Sequence, residues 1–321
     1  MKNNLISVIM SVYNEKESWI KEAIESILNQ TYKNLEFIIV IDNPIREDII
    51  KVIKEYAKKD NRINYFINEK NMGLVYSLNR ALKHCNGEFI ARMDADDISH
   101  VNRFELQLNY LEENNLDLIG CNVNLFNETE IFYTTNKLLT HKYIKKLLTY
   151  GTIGIVHPTF FGRKKLFEEL KGYQNSIHTE DKEFLIRVFC KGFKVGNMKK
   201  VLLDCRYSNK SITKTNAIYI YKIGKYLTNL FRECLKSKKY NFDEKYYKKL
   251  NITKKELVSF NKKQILMGEA RKELNDKNYF LFLYKILKAV FYSKSVFSSI
   301  KINLIFKLFK LMENIEQKGT K

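Results

Sequence analysis

The first 94 residues alternate between short apolar runs and segments of helical spacing, and this rhythm constrains the fold more than any other feature. Runs 5–12, 35–41, 62–67 and 88–93 are predominantly apolar. Between them, 18–30, 46–58 and 74–84 repeat apolar residues three and four positions apart; Trp19, Ile20, Ala23, Ile24, Ile27 and Leu28 make one such stripe, with Ser18 placed to cap it. Buried strands joined by short amphipathic helices predict a parallel sheet covered on both faces.

In such sheets ligands bind beyond the carboxyl ends of the strands. Here those ends carry Tyr13, Asn14 and Glu15; Asp42 and Asn43; Asn71; and Asp94, Asp96 and Asp97. Each alone reads equally well as a turn or a helix cap. Their recurrence at each strand end favours a nucleotide crevice. The acids 94–97 are the densest group. In extended backbone Asp94 and Asp96 share a side, and two hard oxygen donors aimed at one point suit Mg²⁺ or Mn²⁺. The competing reading is an acidic turn that caps helix 101–113. Neither GxGxxG nor GxxxxGK[ST] occurs, so a diphosphate held here needs a cation in place of a glycine cradle.

Downstream, the pattern predicts a strand at 116–126, an irregular polar stretch at 127–140, and a helix at 141–150. A strand at 153–163 carrying His157-Pro158, a helix at 164–170 and a hairpin at 195–206 follow. Glu180 and Asp181 precede helix 182–190. They either cap it by charge or supply a general base. His157 is either a metal or phosphate contact or a buried structural histidine. The basic loop 206–211, starting at Arg206, is either a lid over phosphates or a surface connection.

Taken in order, these stretches resemble family 2 glycosyltransferases. The resemblance is carried by Ser7-Val8-Ile9-Met10-Ser11-Val12-Tyr13-Asn14-Glu15, Ala23 through Tyr32, Asn71-Met72-Gly73, and Ala91-Arg92-Met93-Asp94-Ala95-Asp96-Asp97. It continues in His157-Pro158-Thr159, Gly172-Tyr173 and Glu180-Asp181. It implies an α/β, GT-A fold: a Rossmann-like mixed sheet flanked by helices. It implies inverting transfer of a hexose or N-acetylhexosamine from a nucleotide diphosphate sugar, UDP favoured, to a growing surface glycan. Under it, Val12, Tyr13, Glu15, Asp42, Asn71, Asp94 and Ala95 line the nucleotide. Asp96, with Asp94, holds Mn²⁺ or Mg²⁺, and Asp181 is the catalytic base. Glu180, His157 and Arg206 fall on the acceptor or phosphate side. Many relatives carry Asp-Asp-Gly-Ser after the second strand, where this chain has Asp42-Asn43-Pro44. Two rivals are a sugar nucleotidyltransferase, which usually carries a glycine-rich loop after strand one, and a non-catalytic anion-binding protein, which needs neither Asp96 nor Asp181. Residues 11–15 contain no glycine.

Charge divides the chain. Residues 1–213 balance at +4 and residues 214–321 at +16. This predicts a catalytic domain over 1–213 and a helical, basic extension over 214–321. From Lys277 to Met312 there are seven lysines, no acid and many aromatic residues. Such helices fit an anionic membrane surface, or else pack on the core or on a second subunit, which leaves a homo-oligomer open. No nucleic-acid partner is expected; a glycan acceptor, lipid-linked in many relatives, is. Five cysteines without a CxxC pair predict reduced thiols and a cytoplasmic protein, and the basic tail together with the resemblance implies a peripheral position on the inner membrane face. Run 5–12 is too short for a signal sequence, and no run is long enough to span a bilayer.

Overall fold

The computed structural model describes residues 4–207, 216–293 and 295–319. The predicted alternation is present as β1 (Ile6–Val12), α1 (Glu17–Leu28), β2 (Leu35–Ile41), α2 (Glu47–Lys59), β3 (Ile63–Ile67), α3 (Leu74–Lys83) and β4 (Phe89–Asp94). These strands pair in parallel in the order β3-β2-β1-β4. The register sets Val12 beside Ile41 and Ser11 beside Asp94, so the polar strand ends gather on one edge.

Beyond β4 the sheet becomes mixed. The chain continues through β5 (Ile98–Ser99), α4 (Arg103–Glu113), β6 (Leu118–Phe126), β7 (Ile131–Thr134) and α5 (His141–Thr149). A 3₁₀ turn (His157–Thr159), β8 (Phe161–Arg163), α6 (Lys164–Glu169), α7 (Glu180–Cys190) and β9 (Val195–Arg206) follow. β8 runs antiparallel between β4 and β6, and β9 runs parallel to β6. Alternate strand residues feed two cores. Ile6, Val8 and Met10 meet α1, α2 and α4, whereas Ile9, Ile38 and Ile90 meet α3, α5 and α7.

Several local expectations are corrected. Residues 195–206 form one strand, not a hairpin: Lys199 and Lys200 are exposed in a bulge between Met198, opposite Cys121, and Val201, opposite Asn122. The stretch 127–140 is not wholly irregular, because β7 pairs with the end of β6. His157 lies on the 3₁₀ turn rather than on a strand; Pro158 has no N–H for a ladder, and β8 begins only at Phe161. Helix α1 begins at Glu17 with Lys16 at its cap, so Ser18 is inside it. The cysteines are not all reduced: Cys190 of α7 is joined to Cys234 in a disulfide, with Cα atoms 6.3 Å apart, while Cys85, Cys121 and Cys205 are free and buried. The sequence gap of 44 residues conceals that pairing.

The C-terminal region is helical. α8 (Ala217–Ser237) packs on α5 and α7, and its Ile223, Leu227 and Phe231 join the second core. α9 (Lys254–Asn275) packs on α10 (Tyr279–Tyr292), and α11 (Ser295–Gly319) returns to α5. Both the expected boundary at 213/214 and most of the 206–211 loop lie outside the described residues. Among the described residues, no helix is long and apolar enough to cross a membrane.

Near its end α11 is fastened to the core by Glu313, which is 1% exposed. Its carboxylate accepts from Leu139 N and Thr140 N, both at 2.8 Å, and from Thr140 Oγ1 at 3.0 Å. It therefore satisfies free N–H groups at the start of α5, where Thr140 makes no side-chain cap. Glu313→Ala should lower stability by about 2 kcal/mol, because three donors to one charged acceptor lose their partner. Urea unfolding, with hydrogen exchange at residues 139–144, checks this.

Candidate active site

β4 ends at Asp94 and the chain turns at once, crowding three carboxylates. Oxygens of Asp94, Asp96 and Asp97 lie within 4.8 Å of one another. Asp97 is buried and accepts from Arg206 N at 2.9 Å. Arg206 also donates from Nε to the Asp96 carbonyl at 3.0 Å and pairs with Glu22. Its guanidinium lies over the Trp19 and Phe126 rings. Arg206 thus braces the acidic turn through its backbone.

The carboxylates repel one another in a poorly solvated corner. Burial, followed by the charges of Asp94 and Glu15, pushes the Asp96 carboxyl up to about 7. Asp97 is driven well above the ordinary range by burial and by its two neighbours. Glu15, whose carboxylate accepts Tyr13 N at 2.7 Å, is also raised, by burial first.

One cation answers this charge directly. Arg92 stands two residues before Asp94, on the same side of β4. It is 3% exposed and donates to both Asp94 oxygens, Nη1 at 2.9 Å and Nη2 at 2.5 Å. Its own carbonyl accepts from Arg103 Nη2 at 2.8 Å, and the same nitrogen donates to Pro158 O at 2.9 Å. Gln107, one turn along α4, donates to Thr159 O at 3.0 Å. Helix α4 therefore stitches the end of β4 to the His157-Pro158-Thr159 turn.

Glu180 and Asp181 occupy the first turn of α7. Asp181 Oδ1 accepts Lys182 N at 2.6 Å. Burial raises its carboxyl. Glu180 is pushed up to about 7 by burial and by the charge of Asp181; it also feels Asp94, which raises it, and Arg92, which lowers it. The helix start and the acidic turn thus share one electrostatic field. His157 is buried beside them, its Nε2 3.2 Å from the Tyr173 hydroxyl and its Nδ1 3.9 Å from Glu180 Oε1. Burial, then the Arg92 charge, holds it well below its usual range, hence neutral.

On the other flank Val12 and Ala95 are buried and Tyr13 is exposed. Asp42 is 2% exposed and accepts from Asn68 Nδ2 at 2.6 Å, Met72 N at 2.8 Å and Gly73 N at 2.8 Å. It shapes the turn that carries exposed Asn71, whose Oδ1 also accepts Gly73 N. Gly73, at φ +86°, has the backbone freedom this turn requires.

Residues 7–171 match the family model for glycosyl transferase family 2. The chain belongs to this family. It is 36% identical over 233 residues to an uncharacterized glycosyltransferase of Methanocaldococcus jannaschii, covering 69% of this chain and 78% of that protein. It is 33% identical over 237 residues to the O-antigen biosynthesis glycosyltransferase WbnJ of Escherichia coli, covering 73% and 91%. In architecture it is similar to S. aureus TarS 1–349 solved with UDP-GlcNAc, with a TM-score of 0.58 at 14% identity, covering 98% of this chain and 92% of that one. The mixed sheet with flanking helices is the GT-A fold, and the protein is a glycosyltransferase.

Sequence reasoning about this family 2 chain identified the acids but not their supports, Arg92, Arg103 and Gln107. An arginine inside an otherwise apolar strand was the available signal, since a buried charge needs a partner. The donor set suits a hard divalent cation: three clustered carboxylates, with Arg92 as the bonded cation of Asp94 and with Asp96 pushed up to about 7 by burial and by the charges of Asp94 and Glu15.

Because such a cation must displace a proton from Asp96, its affinity should fall as pH drops through about 7. Calorimetric titration of Mn²⁺ should give binding roughly 20-fold weaker at pH 5.5 than at pH 7.5. Asp96→Asn should remove most of the affinity.

Proposed function

We propose that this glycosyltransferase moves a hexose or N-acetylhexosamine from a nucleotide diphosphate sugar, with UDP favoured, onto a growing surface glycan, with inversion at the anomeric carbon. The observation that carries the reading is the joint placement of the acidic turn and the α7 start around Arg92. The E. coli relative named for O-antigen biosynthesis and the TarS complex with UDP-GlcNAc support the acceptor and donor classes.

Asp96 and Asp94 would hold Mn²⁺ or Mg²⁺; when bound, such an ion supplies positive charge against the diphosphate leaving group. Asp94 keeps its orientation because Arg92 grips both its oxygens. Glu15, Tyr13 and the Asn71 turn, set by Asp42, would face the nucleoside. Asp181 takes the proton from the acceptor hydroxyl as that oxygen bonds to the anomeric carbon and the bond to the diphosphate breaks. Its Oδ1 is occupied by the Lys182 N–H, which leaves Oδ2 for the proton. A carboxyl raised by burial is a better base than one in water. Arg206 serves the phosphate side indirectly, by bracing the turn.

The C-terminal helices support docking on an anionic membrane. Phe280, Leu287 and Phe291 are 81%, 70% and 86% exposed on α10, and Leu304, Leu308 and Leu311 are exposed on α11, among lysines. Aromatic and aliphatic side chains interleaved with lysine fit the headgroup boundary, where each lysine adds about 1 kcal/mol.

Incubation with UDP-, GDP- and dTDP-sugars plus Mn²⁺ should release nucleotide from a UDP-sugar. Absence of turnover and of calorimetric binding with every donor overturns the reading. Asp181→Asn should keep donor affinity and lower transfer by at least about 100-fold. Separately, Phe280→Glu with Leu287→Glu and Phe291→Glu should abolish flotation with phosphatidylserine liposomes. Unchanged flotation removes the membrane surface from α10, and a monomer-to-dimer difference between the two proteins assigns that face to a second copy.

A further inference from the structure

Directly after the base stands a buried lysine that the mechanism does not use. Lys182 is 4% exposed. Its Nζ donates to Gly151 O at 2.9 Å, Gly224 O at 2.7 Å and Thr228 Oγ1 at 2.9 Å. An ammonium has three N–H donors, and here all three are matched. Of the two glycines that supply carbonyls, Gly151 has φ of +98°, which disfavours a side chain, and a Cβ there would lie 3.3 Å from Thr228 Oγ1; a Cβ on Gly224 would make only ordinary contact with Nζ, at 3.4 Å. Two of the three acceptors belong to α8, a helix of the basic C-terminal region, and the third belongs to the loop after α5. All three partners of this buried cation are neutral oxygens, and it stands one residue from the proposed base.

We propose that Lys182 is a positioning residue for transfer: its ammonium, seated by α8 and the Gly151 loop, fixes the first turn of α7 and holds a positive charge on the residue next to Asp181. The inference rests on Asp181 being the base. Two effects follow. The turn cannot rotate, because Lys182 is tethered through its side chain while its N–H holds Asp181 Oδ1. The lysine charge also favours the ionised form of the Asp181 carboxyl. Burial pushes that carboxyl up, and the Lys182 N–H, the Arg92 guanidinium and the Lys182 ammonium pull it back. The other ionisable neighbours are Glu180, on the same turn, and Tyr173. Lys182 itself is brought down to about 8 by burial; Asp181 supports its charge and Arg232 of α8 opposes it. It therefore stays charged at the pH where the base must be ionised. In this arrangement α8 belongs to the catalytic unit.

The test is the pH dependence of kcat for the fastest donor in the panel above, in the 321-residue chain. Lys182→Met should lower kcat at pH 7 at least about tenfold, leave the donor KM unchanged, and move the acid limb to higher pH so that activity recovers toward pH 9. A purely structural lysine gives a loss that alkali does not restore. Folded Lys182→Met with the wild-type profile, or with a loss equal at all pH values, overturns the proposal. Should Lys182→Met fail to fold, Thr228→Val, which retains the lysine but removes its one side-chain acceptor, should move the acid limb in the same direction by less; a wild-type profile overturns the proposal. Asp181→Asn separates the two claims: if it retains full transfer the base assignment fails, whereas if it is inactive while the Lys182 profile is unchanged only the present inference fails.

Discussion

At the end of β4, the Asp94, Asp96 and Asp97 carboxylates gather in a corner only partly open to water, and Arg92 grips the first of them from within the strand. The rest of the structure depends on that balance. A buried guanidinium is costly unless its donors are met, and Asp94 meets two of them in a bidentate fork. Burial, and then the charges of neighbouring carboxylates, push the Asp96 and Asp97 carboxyls up. A corner left short of positive charge in this way has the character that the proposed divalent-cation site requires.

The corner is held from three directions. Arg103 binds the Arg92 carbonyl and the Pro158 carbonyl, so α4 fixes the distance between the acidic strand end and the His157 turn. Arg206 grips the turn backbone from β9 while its guanidinium is packed against Trp19 and Phe126. His157, kept neutral by burial, links Tyr173 to the neighbourhood of Glu180. Most of these bonds end on backbone carbonyls or N–H groups. They fix position without consuming the side-chain oxygens of Asp96 and Asp181 that the proposed chemistry needs.

The C-terminal region serves two physical ends. α8 is part of the core, through Ile223, Leu227 and Phe231 and through the lysine slot. α11 is tied down at Glu313 and Glu316, yet with α10 it leaves large apolar side chains in solvent. Fastening a helix at one point while its neighbour keeps Phe280 and Phe291 exposed makes sense if that surface is covered in use.

The sequence alone determined the alternation that builds β1 to β4, because each strand and helix declares itself by the spacing of its own apolar residues. It also determined the acidic turn and the Glu180-Asp181 pair, since both are contiguous and their order matches family 2. Tertiary structure alone decided what surrounds them. The grip of Arg103 on residues 92 and 158, the matched lysine slot and the Cys190–Cys234 pairing each join segments far apart in the chain. No local periodicity encodes such contacts. The single strand at 195–206 is of the same kind: Lys199-Lys200 reads locally as a turn, and only pairing with β6 makes it a bulge.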